Sequence, residues 1–147
     1  MLIKRTSILS ISGATAFAEL CKSGHLCEVA KGMITYDNQE NFPEKWQLGE
    51  QINLLPRLKG ISQGNHFVTF TCINEDAGIL ITSEHGGHIK SWKHVMTVKE
   101  LPNGHCEYRD HVTIKAGWRT PMIWLFAQVF YRHRHRQWKK MLAQQQI

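Results

Sequence analysis

Residues 120–146, TPMIWLFAQVFYRHRHRQWKKMLAQQQ, contain no Gly, and their only Pro is the second residue. Thr120 suits a helix N-cap and Pro121 the first helical position. The stretch therefore predicts one helix of about 25 residues, about 38 Å long at 1.5 Å rise per residue. Trp124, Ala127, Tyr131, Trp138 and Leu142 fall on or near one stripe, with Phe126, Phe130 and Met141 beside it, so the helix is expected to pack along most of its length. The rest of the chain must supply the surface that covers it. LIKRTSILSIS at the start alternates loosely and reads as a strand. After Gly13, ATAFAELCKSG places Ala16, Phe17 and Leu20 at helical spacing, and HLCEVAKGM reads as a second short helix. From Met33 to Lys115 the signals are those of strands: MITYDN, EQINLLPRL, HFVTFTCIN, GILITSE, IKSWKHVMTVKE and HCEYRDHVTIKA. Breaks such as SQGN, NEDAG and EHGGH separate several of them, as in an antiparallel meander.

One hairpin can be read residue by residue. LPNG at 101–104 suits a type I turn with Pro102 at its second position and Gly104 as a left-handed bulge residue. That turn pairs Leu101 with His105, Met96 with Asp110 and His94 with Val112. Trp92, His94, Met96 and Val98 then share a face with Tyr108, Asp110, Val112 and Ile114. The face is apolar except for one His, one Asp and one Tyr hydroxyl.

Charge is distributed unevenly. Residues 111–147 hold seven Lys or Arg and no Asp or Glu, whereas the first 110 hold eleven basic and twelve acidic residues. The net charge of +6 therefore comes from the last quarter. Within it, Arg132, Arg134, Arg136, Lys139 and Lys140 are expected to form a basic, solvated helix face, which also suits the negative end of a helix dipole. Lys and Arg interleaved with Trp and Phe make weak membrane-surface contact a further expectation. No nucleic-acid motif is present, and nucleic acid is not an expected partner. No stretch reaches the ~18 apolar residues of a membrane span. Lys4, Arg5 and the apolar residues after them imitate a secretory signal, but Ser7, Ser10, Ser12, Gly13 and Thr15 dilute it, so a cytoplasmic chain is expected. Cys21, Cys27, Cys72 and Cys106 form no C-x-x-C pair and read as reduced thiols. His85 and His88 lack a fixed third ligand, so no metal and no cofactor is expected. Oligomeric state is left open.

A strand, two short helices, about six antiparallel strands and a long final helix are the element order of the helix-grip fold. On these residues the chain resembles the START-like, Bet v 1-like (SRPBCC) superfamily and its polyketide cyclase/dehydrase and lipid transport group. SWKHVMTVKELPNGHCEYRDHVTIKAG looks like the group's closing hairpin, and FYRHRHRQWKKML is similar to the basic, Trp-containing end of the last helix in small bacterial members. The resemblance implies a single α+β domain over 1–147, with a curved antiparallel sheet wrapped around the C-terminal helix and an apolar cavity between them. About six strands at about 4.8 Å spacing span roughly 29 Å, so the last turns of the helix are expected to project beyond the sheet.

The expected function is noncovalent binding or transport of a small hydrophobic or amphipathic ligand, lipid-like or aromatic. Trp92, His94, Met96, Tyr108, Asp110, Val112, Trp124, Phe126 and Phe130 are the expected lining. His94 and Asp110 become diagonal neighbours and could hold each other in the core, orient a ligand's polar head, or transfer protons as in a cyclase or dehydratase. A module acting through its basic helix is a third alternative. Nothing identifies a nucleophile or oxyanion hole, so a binding protein is favoured over an enzyme.

Overall fold

In the computed structural model residues 1–145 are described. The expected ends of the helix at Gln146 and of the domain at Ile147 lie outside the described residues. Strand β1 (Leu2–Leu9) buries Ile3, Ser7 and Leu9 and exposes Leu2, Lys4, Thr6 and Ile8, the two-residue period of a half-buried strand. Helix α1 (Gly13–Leu20) begins at Ser12, whose hydroxyl accepts from the Thr15 amide and whose extended backbone suits an N-cap. Its buried residues are Gly13, Ala16, Phe17 and Leu20, the last three being those that the helical spacing singles out. Helix α2 (Ser23–Ala30) follows directly.

Eight further strands follow: β2 (Ile34–Tyr36), β3 (Gln51–Leu54), β4 (Pro56–Leu58), β5 (Ile61–Ser62), β6 (His66–Asn74), β7 (Ile79–Gly86), β8 (Ile89–Glu100) and β9 (Cys106–Lys115). Helix α3 (Thr120–Gln145) ends the described chain. Six strands form one antiparallel sheet in the order β1-β9-β8-β7-β6-β3, and β2, β4 and β5 form a small separate sheet. EQINLLPRL is therefore two strands in two sheets. The Asn38 side chain accounts for the break, because it accepts from the Leu55 amide and donates to the Asn53 carbonyl. Pro56 then has no amide to continue the ladder. Register shifts between Phe70 and Cys72 in β6, and between Glu84 and Gly86 in β7, add the local bend that a curved sheet needs.

The β8–β9 hairpin has the expected register, pairing His94 with Val112 and Met96 with Asp110. Its turn differs in detail. Asn103 (φ 67) and Gly104 (φ 73) are both left-handed, a conformation that Asn accepts more readily than most residues.

Helix α3 buries Ala127, Phe130, Tyr131, Arg134, His135, Trp138 and Leu142. Arg134, expected on the basic surface, is thus buried. It lies three residues after Tyr131 and four before Trp138, so helical geometry puts it on the inward stripe. Arg132, Arg136, Lys139 and Lys140 are exposed. Thr120 is the first residue of the helix, and its hydroxyl accepts from the Ala116 amide and donates to the Gly117 carbonyl. Helix α2 packs beside the C-terminal half of α3, with His25 edge-on to Trp138 at 4.3 Å between ring centres, and Leu142 is buried.

Candidate functional site

Between the sheet and α3 lies a cavity of about 730 Å³. Val68 and Phe70 of β6, Leu80 of β7 and Met96 of β8 face it from the sheet, and Phe126 and Phe130 from the helix. Alternation along each strand brings these side chains to one face, and the bulges curve that face around the helix.

The polar groups form two networks. In the first, Asp110 of β9 is fully buried. Its Oδ1 accepts from the Tyr108 hydroxyl at 2.6 Å and pairs with His94 Nε2 at 2.5 Å. Its Oδ2 pairs with His135 Nε2 at 2.6 Å, and His135 Nδ1 meets Ser7 Oγ at 2.7 Å. Burial alone would raise the Asp110 pKa, but the charge and hydrogen bond of His94, the hydrogen bond of His135 and the charge of Arg134 hold it well below the carboxylate range. An ionised Asp110 only accepts, so both imidazoles offer Nε2–H to it. His135 Nδ1 then faces the Ser7 hydroxyl, and Nδ1 of His94 is the ring nitrogen that Asp110 does not hold.

The second network lies on the cavity wall. Glu84 Oε1 pairs with His66 Nε2 at 2.8 Å, and Oε2 accepts from the Thr82 hydroxyl at 2.6 Å. Burial pushes the Glu84 carboxyl up, but the hydrogen bond and charge of His66 more than compensate and lower it. Nearby, Trp92 Nε1 donates to the Tyr131 hydroxyl at 3.2 Å.

Trp92, His94, Met96, Phe126 and Phe130 line the cavity. Tyr108, Asp110, Val112 and Trp124 do not. Tyr108 packs on His135 and Trp138, with ring centres 5.0 and 4.9 Å away. Val112 is fully buried opposite Ile3, and Trp124 Nε1 donates to the Leu2 carbonyl. For Tyr108, Asp110 and Val112 the common cause is position in the sheet. Strand β9 lies between β1 and β8, where α3 rests on the sheet, while the cavity opens over β6, β7 and β8.

Several site groups were missed by the sequence reading: Ser7, His66, Thr82, Glu84, His135, and Arg134 as an inward group. For His135 a signal existed, since it follows Tyr131 by four residues and precedes Trp138 by three. The His66–Glu84 pair was not visible, because the β6–β7 register depends on a bulge. His85 stacks on Phe67 instead of joining a cluster. Among the described residues no three His, Cys, Asp or Glu side chains are grouped as a metal site requires.

The curved sheet, the gripped helix and the cavity between them define a helix-grip fold of the START and Bet v 1 class. A START superfamily protein from Mycobacterium smegmatis matches with a TM-score of 0.71 over 97% of each chain, at 12% identity. Norcoclaurine synthase from Thalictrum flavum matches with a TM-score of 0.67 over 100% of this chain and 96% of its own, at 9% identity. The di-domain ARO/CYC BexL matches with a TM-score of 0.73 over 95% of this chain and 45% of its own, at 8% identity. No curated protein is significantly similar in sequence. The family profile described as Domain of unknown function (DUF8410) matches residues 66–142, more than half of the chain, and the chain belongs to that family.

Proposed function

We propose that this chain binds a small hydrophobic or amphipathic molecule noncovalently between the sheet and α3. The observation that carries this reading is the cavity of about 730 Å³, within the roughly 300–1,000 Å³ of small-molecule sites, with mainly apolar walls and a few inward polar groups. The fold also houses a synthase and an ARO/CYC protein, and so does not by itself separate carriage from catalysis. Native mass spectrometry of the protein purified from its host, followed by denaturing extraction, tests the reading. A reproducible bound lipid or aromatic compound is expected; a clean apo mass argues against a tightly held cargo.

Two observations support accessory roles. Trp118, Met122, Leu125 and Val129 are exposed at alternating spacings of four and three residues. Their stripe continues through Arg132, Arg136 and Lys139, a composition suited to weak contact with an anionic membrane surface. Sedimentation with anionic vesicles at low salt, lost at high salt, is the expected outcome. The four thiols are free, which fits a reducing, cytoplasmic compartment.

A second reading is proton-transfer catalysis. It is favoured by the placement of His94 on the cavity wall with Nε2 held by Asp110, an orientation suited to a general base acting through Nδ1. Incubation of an extracted compound with the native protein and with His94→Ala distinguishes the readings: turnover lost in the variant supports catalysis, and no turnover by either leaves binding alone.

A further inference from the structure

One corner of the cavity gathers polar groups that the two networks do not use. It is bounded by α2, β2 and α3, which bring His25, Tyr36 and Arg134 to the cavity lining. Arg134 is buried, its guanidinium 5.4 Å from the Tyr131 ring centre and 5.8 Å from that of Phe130. Among the described residues it makes no hydrogen bond and no ion pair. His25 is 5% exposed, and both of its ring nitrogens are buried without a partner. The Tyr36 hydroxyl, on a residue 7% exposed, likewise has no hydrogen-bond partner among the described residues.

Buried polar groups are normally satisfied, and a buried charge is costly unless something answers it. The carboxylates nearby are committed elsewhere. Asp110 accepts from Tyr108, His94 and His135, and reaches Arg134 only as a longer-range charge. Glu84 is held by His66 and Thr82. Burial and the Arg134 charge push His25 down to about 3, so at neutral pH it is neutral and does not add to the charge of the guanidinium. The corner therefore presents one positive charge and one neutral hydroxyl, on two different elements, to the cavity, while the neutral His25 ring packs in its wall with both nitrogens shut off.

We infer that this corner seats a singly charged oxyanion, and that the ligand is a carboxylate-headed amphipath. Its carboxylate accepts hydrogen bonds from Arg134 and Tyr36, while its apolar body lies between Phe70, Leu80, Met96 and Phe126. The inference rests on the cavity being a ligand site, and adds the chemical class of the ligand.

The test uses the full chain at neutral pH, the neutral fluorophore N-phenyl-1-naphthylamine as a cavity reporter, and two competitors of equal chain length, dodecanoate and dodecanol. Dodecanoate is expected to bind about 10- to 100-fold more tightly than dodecanol, the scale of hydrogen bonds to charged groups. Arg134→Met keeps much of the packing stem and should bring the ratio to within about twofold while dodecanol affinity is retained. Tyr36→Phe keeps its ring and should reduce the preference several-fold, which preserves the test if Arg134→Met does not fold. Dodecanol binding as tightly as dodecanoate, or an unchanged ratio in the folded variants, overturns the oxyanion seat and leaves the cavity reading standing. Reporter uptake with displacement by neither competitor has the same meaning. No uptake of the reporter and no binding of either competitor overturns both.

Discussion

Asp110 concentrates the buried polar energetics of the protein in one side chain. Two imidazoles and a phenol converge on a carboxylate with no exposure. Asp110→Asn removes the charge from these bonds and forces one imidazole to change tautomer or lose its partner. A loss of about 2–4 kcal/mol is expected in urea unfolding, since hydrogen bonds to charged groups contribute about 1.5–3 kcal/mol each and buried networks are coupled; a loss below 1 kcal/mol would contradict the network as drawn. His25 sets an acid dependence. Its folded pKa, about 3, lies below the unfolded value of about 6.5, so in that interval the unfolded state binds the extra proton. Stability therefore falls as pH drops through this window, by up to about 1.4 kcal/mol per pH unit from this residue. Asp110 acts in the same direction at lower pH: its depressed folded pKa contributes stability above the ordinary carboxylate value of about 3.9, and that contribution is lost as pH falls below it. His25→Phe should flatten the unfolding free energy between about pH 6 and pH 4 relative to the native protein; parallel curves would show that His25 is not buried neutral.

At the scale of elements, α3 has two faces with different tolerances. Trp138, 3% exposed, packs between Tyr108 and His25, and Trp138→Ala should cost about 3–5 kcal/mol. Lys139→Glu, on the exposed face, should change stability by no more than about 0.5 kcal/mol. Thermal unfolding of the pair tests which face is held, and comparable losses would refute the assigned orientation. In the turn between β6 and β7, Gly78 has φ +68, and an added Cβ would collide with the Val98 carbonyl, while the Gly78 carbonyl accepts from the Val98 amide at 2.8 Å. Gly78→Ala is thus expected to destabilise by about 2–3 kcal/mol through backbone strain and displacement of the hairpin from β8. A melting temperature within error of the native one would show that the turn can relax.

For the molecule as a whole, the cavity links stability to occupancy. A ligand that binds only the folded state adds about 2.7 kcal/mol at a concentration one hundred times its dissociation constant. Dodecanoate at saturation should therefore raise the melting temperature, and more so than dodecanol at equal concentration. An unchanged melting temperature under demonstrated saturation would mean that the compound binds folded and unfolded chains alike, outside the native cavity.

Much of the architecture was legible from local pattern. The period of α3, the burial of Ala16, Phe17 and Leu20, and the pairing of His94 with Val112 each follow from side-chain spacing or from a turn that pins its own hairpin. Even Arg134 and His135 stood at inward helical positions, although their charge and polarity argued for solvent. Long-range packing decided the rest. Asn38 and Pro56 divide one apparent strand between two sheets, bulges set the β6–β7 register that unites His66 with Glu84, and α3 settles over β1 and β9 so that the cavity opens over β6 to β8. That last choice puts Asp110 behind the wall and His94 on it. Sequence spacing records which residues share a face of one element, because backbone geometry repeats over a few residues. Which face of the sheet remains uncovered depends on where distant elements come to rest, and only the folded chain decides that.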